Sequence, residues 1–168
     1  MFKVRLWLLM LCLVVSTPRL SAQSIADEIH FVDFVEATHI STSGMNLWVE
    51  VQNDSGHRII IPEGEVEVLF GTTSVMTISL RERVVIPRRG MHKVLLPLRF
   101  NSRSSMLPIR ILRSVARGEQ TNLNVNYRVR AGVWFAKRNF VGEGLSMDDM
   151  YALFAVEESH LKTLLKLL

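Results

Sequence analysis

The side chains able to do chemistry are few and scattered in this sequence. His30, His39, His57, His92 and His160 fall without the His-x-x-x-His or His-x-x-Glu-His spacing that puts two ligands on one face, so no metal site is expected. The sole cysteine, Cys12, lies in the first apolar stretch, which leaves the rest of the chain without a thiol nucleophile or a disulfide. Neither a Gly-x-Ser-x-Gly elbow nor a Walker phosphate loop occurs. Two carboxylate pairs could in principle serve acid–base hydrolysis. Glu65 and Glu67, however, alternate onto the solvent side of a strand, and Asp148 and Asp149 suit the positive end of a helix dipole. No catalytic residue and no cofactor are therefore expected, and a hydrolase would require a convergence of His, Asp and Ser that spacing does not announce.

Contact residues are easier to find. Trp48 falls on the polar side of its strand, as does Trp134 if Val133 and Phe135 point inward. An outward tryptophan is either covered, with the C-terminal helix as its natural cover, or offered to a partner. Pro97 interrupts a good strand and, lacking an N–H, predicts an edge or a bulge where a partner strand could add. Leu161, Leu164, Leu165 and Leu168, flanked by Lys162 and Lys166, make an apolar stripe for docking onto the domain, a partner protein or, less favoured, a membrane surface.

The elements that would position these residues are mostly strands. Period-two alternation recurs in Met45–Val51, Val66–Phe70, Met76–Leu80, Val94–Phe100 and Leu123–Arg130, and Ile29–Glu36 and Val133–Val141 read as two further strands. Turn residues separate them at Asn53-Asp54-Ser55-Gly56, Pro62-Glu63-Gly64, Gly71, Pro87-Arg88-Arg89-Gly90, Gly118 and Gly132. Seven to eight strands at this spacing predict an all-β immunoglobulin- or fibronectin-III-like sandwich. One short helix is inserted, with a serine cap among Ser102, Ser104 and Ser105, Pro108 in its first turn, and Leu107, Ile111 and Val115 as its stripe. A second helix starts at Ser146.

The opening residues read as an export signal. Lys3 and Arg5 precede the apolar run Leu6 to Val15, and Leu20-Ser21-Ala22 offers a small-residue exit before Gln23. That run is half of the roughly 20 residues needed to cross a bilayer core. The alternative is a retained N-terminal anchor; Leu11 is too bulky for Cys12 to be a lipoprotein attachment site. The expected organisation is thus a signal peptide over 1–22, a sandwich over 23–145 and a helical extension over 146–168, with the mature protein periplasmic or extracellular.

Charge divides along the chain. Residues 23–80 hold nine acidic residues and one basic, whereas residues 81–138 hold fourteen basic and two acidic. Acidic early strands pairing with basic later ones account for this, and the arginines have no interleaved aromatics to stack bases, so nucleic acid is not an expected partner.

Four segments resemble the late-embryogenesis-abundant type 2 family, the water-stress and hypersensitive-response domain. They are Met45-Asn46-Leu47-Trp48-Val49-Glu50-Val51-Gln52-Asn53, Gly64 to Gly71, the pair Val84-Val85-Ile86-Pro87 and Val94-Leu95-Leu96-Pro97-Leu98, and Asn124 to Gly132. The family's Asn-Pro-Asn stands here as Asn53-Asp54-Ser55, and the extension from Ser146 has no counterpart. The resemblance covers Ile29 to Phe140 and implies an immunoglobulin-like sandwich without catalytic residues or cofactor, in a family some members of which are linked to desiccation stress. The expected function is a secreted, non-catalytic binding or structural module of this kind. Its expected partner is a protein, met through a sheet edge or the C-terminal helix. The alternative is a carrier of a small apolar molecule or lipid in a pocket lined by Met45, Phe70 and Phe100.

Overall fold

A computed structural model describes residues 28–108, 110–111 and 122–146, together with Asp149, Thr163, Lys166 and Leu167. The expected signal peptide lies outside the described residues, as do most of the inserted helix and the C-terminal helix. Within the described chain the protein is all-β. Eight antiparallel strands run β1 Ile29–Ser41, β2 Gly44–Asn53, β3 Ile59–Phe70, β4 Thr73–Leu80, β5 Val84–Ile86, β6 Gly90–Ser102, β7 Leu123–Val133 and β8 Ala136–Ser146. They form one continuous sheet in the order β1-β2-β6-β4-β3-β7-β8, with β5 paired to β3.

Alternation fixes which face goes inward. In β2 the residues Met45, Leu47, Val49 and Val51 are buried while Asn46, Trp48 and Glu50 are half-buried. In β7 Leu123, Val125, Tyr127, Val129, Ala131 and Val133 are buried in the same way. These faces join those of β1, β3, β4, β5 and β6 in one apolar cluster. At about 25 cal/mol per Å² of apolar surface, this burial is the main term opposing chain entropy in a domain without a disulfide.

The outer face shows why the charge halves separate in sequence. Glu65 lies opposite Arg128 across β3 and β7, and Glu63 reaches Arg130 at 3.5 Å. Glu50 faces Lys93 across β2 and β6. The acidic and basic blocks are partners in one ladder.

Pro97 corrects the edge-strand expectation. β6 is interior, hydrogen-bonded to β2 on one side and β4 on the other. The strand tolerates proline because β4 ends there. The last β4–β6 pair is Leu80 with Leu98, and the next residue, Arg81, donates its N–H to Pro97 O at 2.8 Å. A strand residue's N–H and C=O point to the same side, so the donor Pro97 lacks would have faced only the chain leaving β4. The Arg81 guanidinium bonds Asn46 Oδ1, the residue opposite Pro97 on β2, and Pro97 is buried in that row. Beyond this point β6 continues beside β2 alone, while β3 takes β5 as its neighbour.

Two further expectations change. Pro62-Glu63-Gly64 does not break the chain but sits inside β3 as a register shift against β7 between Ile60 and Glu63. Val133–Val141 is not one strand: Val133 pairs with Ala136, so the chain reverses at Trp134 and Phe135.

Candidate functional site

Strand direction brings four segments to one end of the sheet. Ile29 pairs with Asn53, Ile59 with Ile86, Asn53 with Gly90, and Ile60 with Gly132. The chain entering at Glu28, the loop 54–58, the turn 87–89 and the β7–β8 hairpin tip therefore share that end. The β1–β2 and β3–β4 turns and the exit at Ser146 lie at the other.

The end is held by two buried polar residues. Asn53 and Ser55 are the buried polar side chains among the described residues. Asn53 Nδ2 donates to His57 O at 3.0 Å and Pro87 O at 2.8 Å, and its Oδ1 accepts the Ser55 N–H at 2.9 Å. The Ser55 hydroxyl lies 2.6 Å from Asn53 Oδ1 and receives the His57 N–H at 3.2 Å. Arg89, whose φ is 50°, donates its N–H to Ser55 O at 3.1 Å. Every capacity of the Asn53 amide is used, so this cluster is scaffold, not a reactive group.

At the same end the β7–β8 hairpin carries an aromatic tip. Trp134 is 77% exposed and Phe135 67%, the two highest values among the large hydrophobic residues described. Their rings meet edge to face, with centroids 5.4 Å apart at 84°. Lys137 Nζ lies 3.4 Å from Trp134 O. Behind the closing pair Val133–Ala136, the next two ladder pairs carry Lys137 opposite Gly132 and Arg138 opposite Ala131. A side chain on Gly132 is excluded, since its Cβ would lie 2.2 Å from Ala136 O. Arg58, Arg88 and Arg89 are exposed on the neighbouring loops, as is Met91 at the start of β6. The described ion pairs, His30–Asp54, Lys93–Glu36 and Arg130–Glu63, include none of the five cations at this end. Two carboxylates share the end, Glu28 and Asp54, and Asp54 lies 3.7 Å from His30.

The sequence-predicted contact residues are thus separated. Trp134 stands at the tip, but for a different reason than expected, because Phe135 points out with it. Trp48 lies in mid-sheet and is half-buried. Its ring has Lys93 Nζ 4.9 Å from the centroid, and that ammonium also meets Glu36 at 3.3 Å. Pro97 is buried within the sheet. Leu161, Leu164, Leu165 and Leu168 lie outside the described residues; Leu167, beside them, is partly buried against the core. Phe135, Lys137 and Arg138, exposed beside Trp134, were not among the expected contact residues. The signal that marks them is Gly132 followed by two aromatics and two cations, which is a turn placed inside an apolar run.

Met45 and Phe100 are buried in the core, while Phe70, last before the Gly71 turn, is 58% exposed and stands outside the buried cluster that holds the other two. A surface depression of about 300 Å³ lies instead over β3 and β7, among Glu63, Glu65, Arg128 and Arg130. On the same outer face Asn126 Nδ2 donates to Glu67 at 2.9 Å. Hydrogen bonds from Ser74 and then Asn126 hold that carboxyl below the usual range. Burial pushes the Tyr127 hydroxyl above its ordinary value.

No protein-family model matches the chain, and no curated protein does. Among solved structures it is similar to the crystal structure of a protein from Archaeoglobus fulgidus. The two share 14% identity with a TM-score of 0.42, over 67% of this chain and 90% of that one.

Proposed function

We propose that this chain is an exported, non-catalytic β-sandwich module of the late-embryogenesis-abundant type 2 kind, and that it works by contact through its Trp134–Phe135 end. The observation that carries the reading is the exposure of two adjacent aromatics on a two-residue turn at the end of the sheet. Aromatic pairs are costly to leave in water and are the usual anchors of binding surfaces. The two-layer closure is supported by the ladder ending at Arg81 and Pro97, beyond which β1-β2-β6 and β5-β3-β7-β8 share no hydrogen bonds in the described ladders. Their buried faces belong to one cluster and need each other as cover. The resemblance of Met45–Asn53 to the family is consistent with Asn53 ending its strand as a buried tie.

The test is site-specific photocrosslinking in the source cell, with p-benzoylphenylalanine in place of Trp134 or, at the opposite end, Phe70. A discrete adduct, to protein or to lipid, from position 134 and none from position 70 is expected. Adducts from neither position, with both variants folded and exported, would remove the aromatic end as a contact surface.

A further inference from the structure

The chemistry of this end specifies its partner more narrowly, given the contact role just proposed. We propose that the Trp134–Phe135 hairpin inserts into the interfacial zone of an anionic lipid bilayer. The tip is convex, a two-residue reversal between Val133 and Ala136, so it suits a penetrable surface better than a flat protein face. Its polarity is graded with depth. Trp134 and Phe135 come first, Lys137 and Arg138 one and two ladder pairs behind, and Arg58, Arg88 and Arg89 on the flanking loops. Tryptophan favours the headgroup level, where its ring is partly buried and its N–H stays wet. Cations just behind such a ring meet lipid phosphates and the negative surface potential without leaving water. Attachment of the chain agrees with this orientation. Glu28 enters β1 at the same end, so the chain joins the sheet at the pole that carries the tip.

The experiment uses the protein recovered after export. The W7F/W48F variant leaves Trp134 as the sole tryptophan of three. Vesicles of phosphatidylcholine alone, or with phosphatidylglycerol, carry acyl chains brominated near the headgroup. Expected with phosphatidylglycerol are a blue shift of Trp134 emission, quenching by the bromine atoms, and binding about tenfold weaker in K137E/R138E. Quenching that is equal on neutral vesicles and indifferent to K137E/R138E overturns the assignment of anionic lipid. Emission unchanged on both vesicle types overturns membrane insertion. In that case a protein adduct from the position-134 photocrosslink would leave the contact surface standing with a protein partner, and no adduct would remove both readings.

Discussion

The side-chain amide of Asn53 donates at 2.8 Å to the carbonyl of Pro87, 34 residues further along the chain. That one bond ties the end of β2 to the turn between β5 and β6, from opposite sides of the point where the ladder ends. Asn53→Ala takes the amide partner from the part-buried Pro87 carbonyl and the buried Ser55 N–H, while the His57 carbonyl keeps the Ser55 hydroxyl. The expected cost is about 3 kcal/mol, read as a lowered urea midpoint at unchanged m-value. A loss below about 0.5 kcal/mol would mean that water replaces the amide freely.

Tyr127 lies opposite Gly142 in the β7–β8 ladder, and a Cβ on that glycine would sit 2.3 Å from the tyrosine ring. Gly142→Ala must push a buried ring off its seat, at about 1–3 kcal/mol. Gly144→Ala meets nothing within 4 Å but holds φ at +63°, so its cost is the backbone term alone, about 1 kcal/mol. Thermal melts of the two variants should rank them in that order.

Glu67 and Tyr127 set opposite limits on pH stability. The Glu67 carboxyl is held low by Ser74 and Asn126, so its contribution is full above the ordinary carboxylate range and is lost as pH falls through its folded value. Glu67→Gln should flatten the acid limb of a stability–pH curve. The Tyr127 hydroxyl is raised by burial, so stability is full below its ordinary pKa, about 10, and declines as pH rises beyond it. Tyr127→Phe should delay the alkaline decline.

Lys93 stands over the Trp48 ring and also meets Glu36. A double-mutant cycle of Trp48→Leu with Lys93→Met should give a coupling of about 0.5–1 kcal/mol, reduced by salt. A coupling of zero would make the approach of ammonium to ring incidental.

Trp134→Ser with Phe135→Ser should leave folding stability within about 0.5 kcal/mol, because neither ring is covered. Chemical denaturation beside the parent protein checks this. A large loss would make the tip part of the fold and weaken its reading as a contact surface.

Alternation made most of the sheet legible, and β7 shows why. Its inward residues are all apolar and its outward ones Asn124, Asn126, Arg128 and Arg130, a pattern that only one pleat satisfies. β5 is three residues long, too short to show a period, and its strand character depends on pairing with Ile59–Ile61. Pro97 was legible as a missing donor but not as to where the gap falls, because the answer depends on where β4 stops. The tip was misread for a related reason. Val133, Trp134, Phe135 and Phe140 are good strand residues by type, and their hydrophobicity masked a reversal that Gly132 alone signalled. The candidate site was therefore half visible: Trp134 stood out by type, whereas the cations around it gather from 58, 88, 89, 137 and 138 only once the strands are ordered.

The antiparallel order gives the molecule two poles. Glu28 and Trp134 mark one, while Ser146 leaves the sheet at the other, beside Asn124. A strand of ten residues such as β2 spans about 33 Å. Whatever the aromatic pole rests on, the polypeptide after Ser146 starts about that far above it. The sheet is then a rigid standoff, which sets the height at which the chain leaves its last strand.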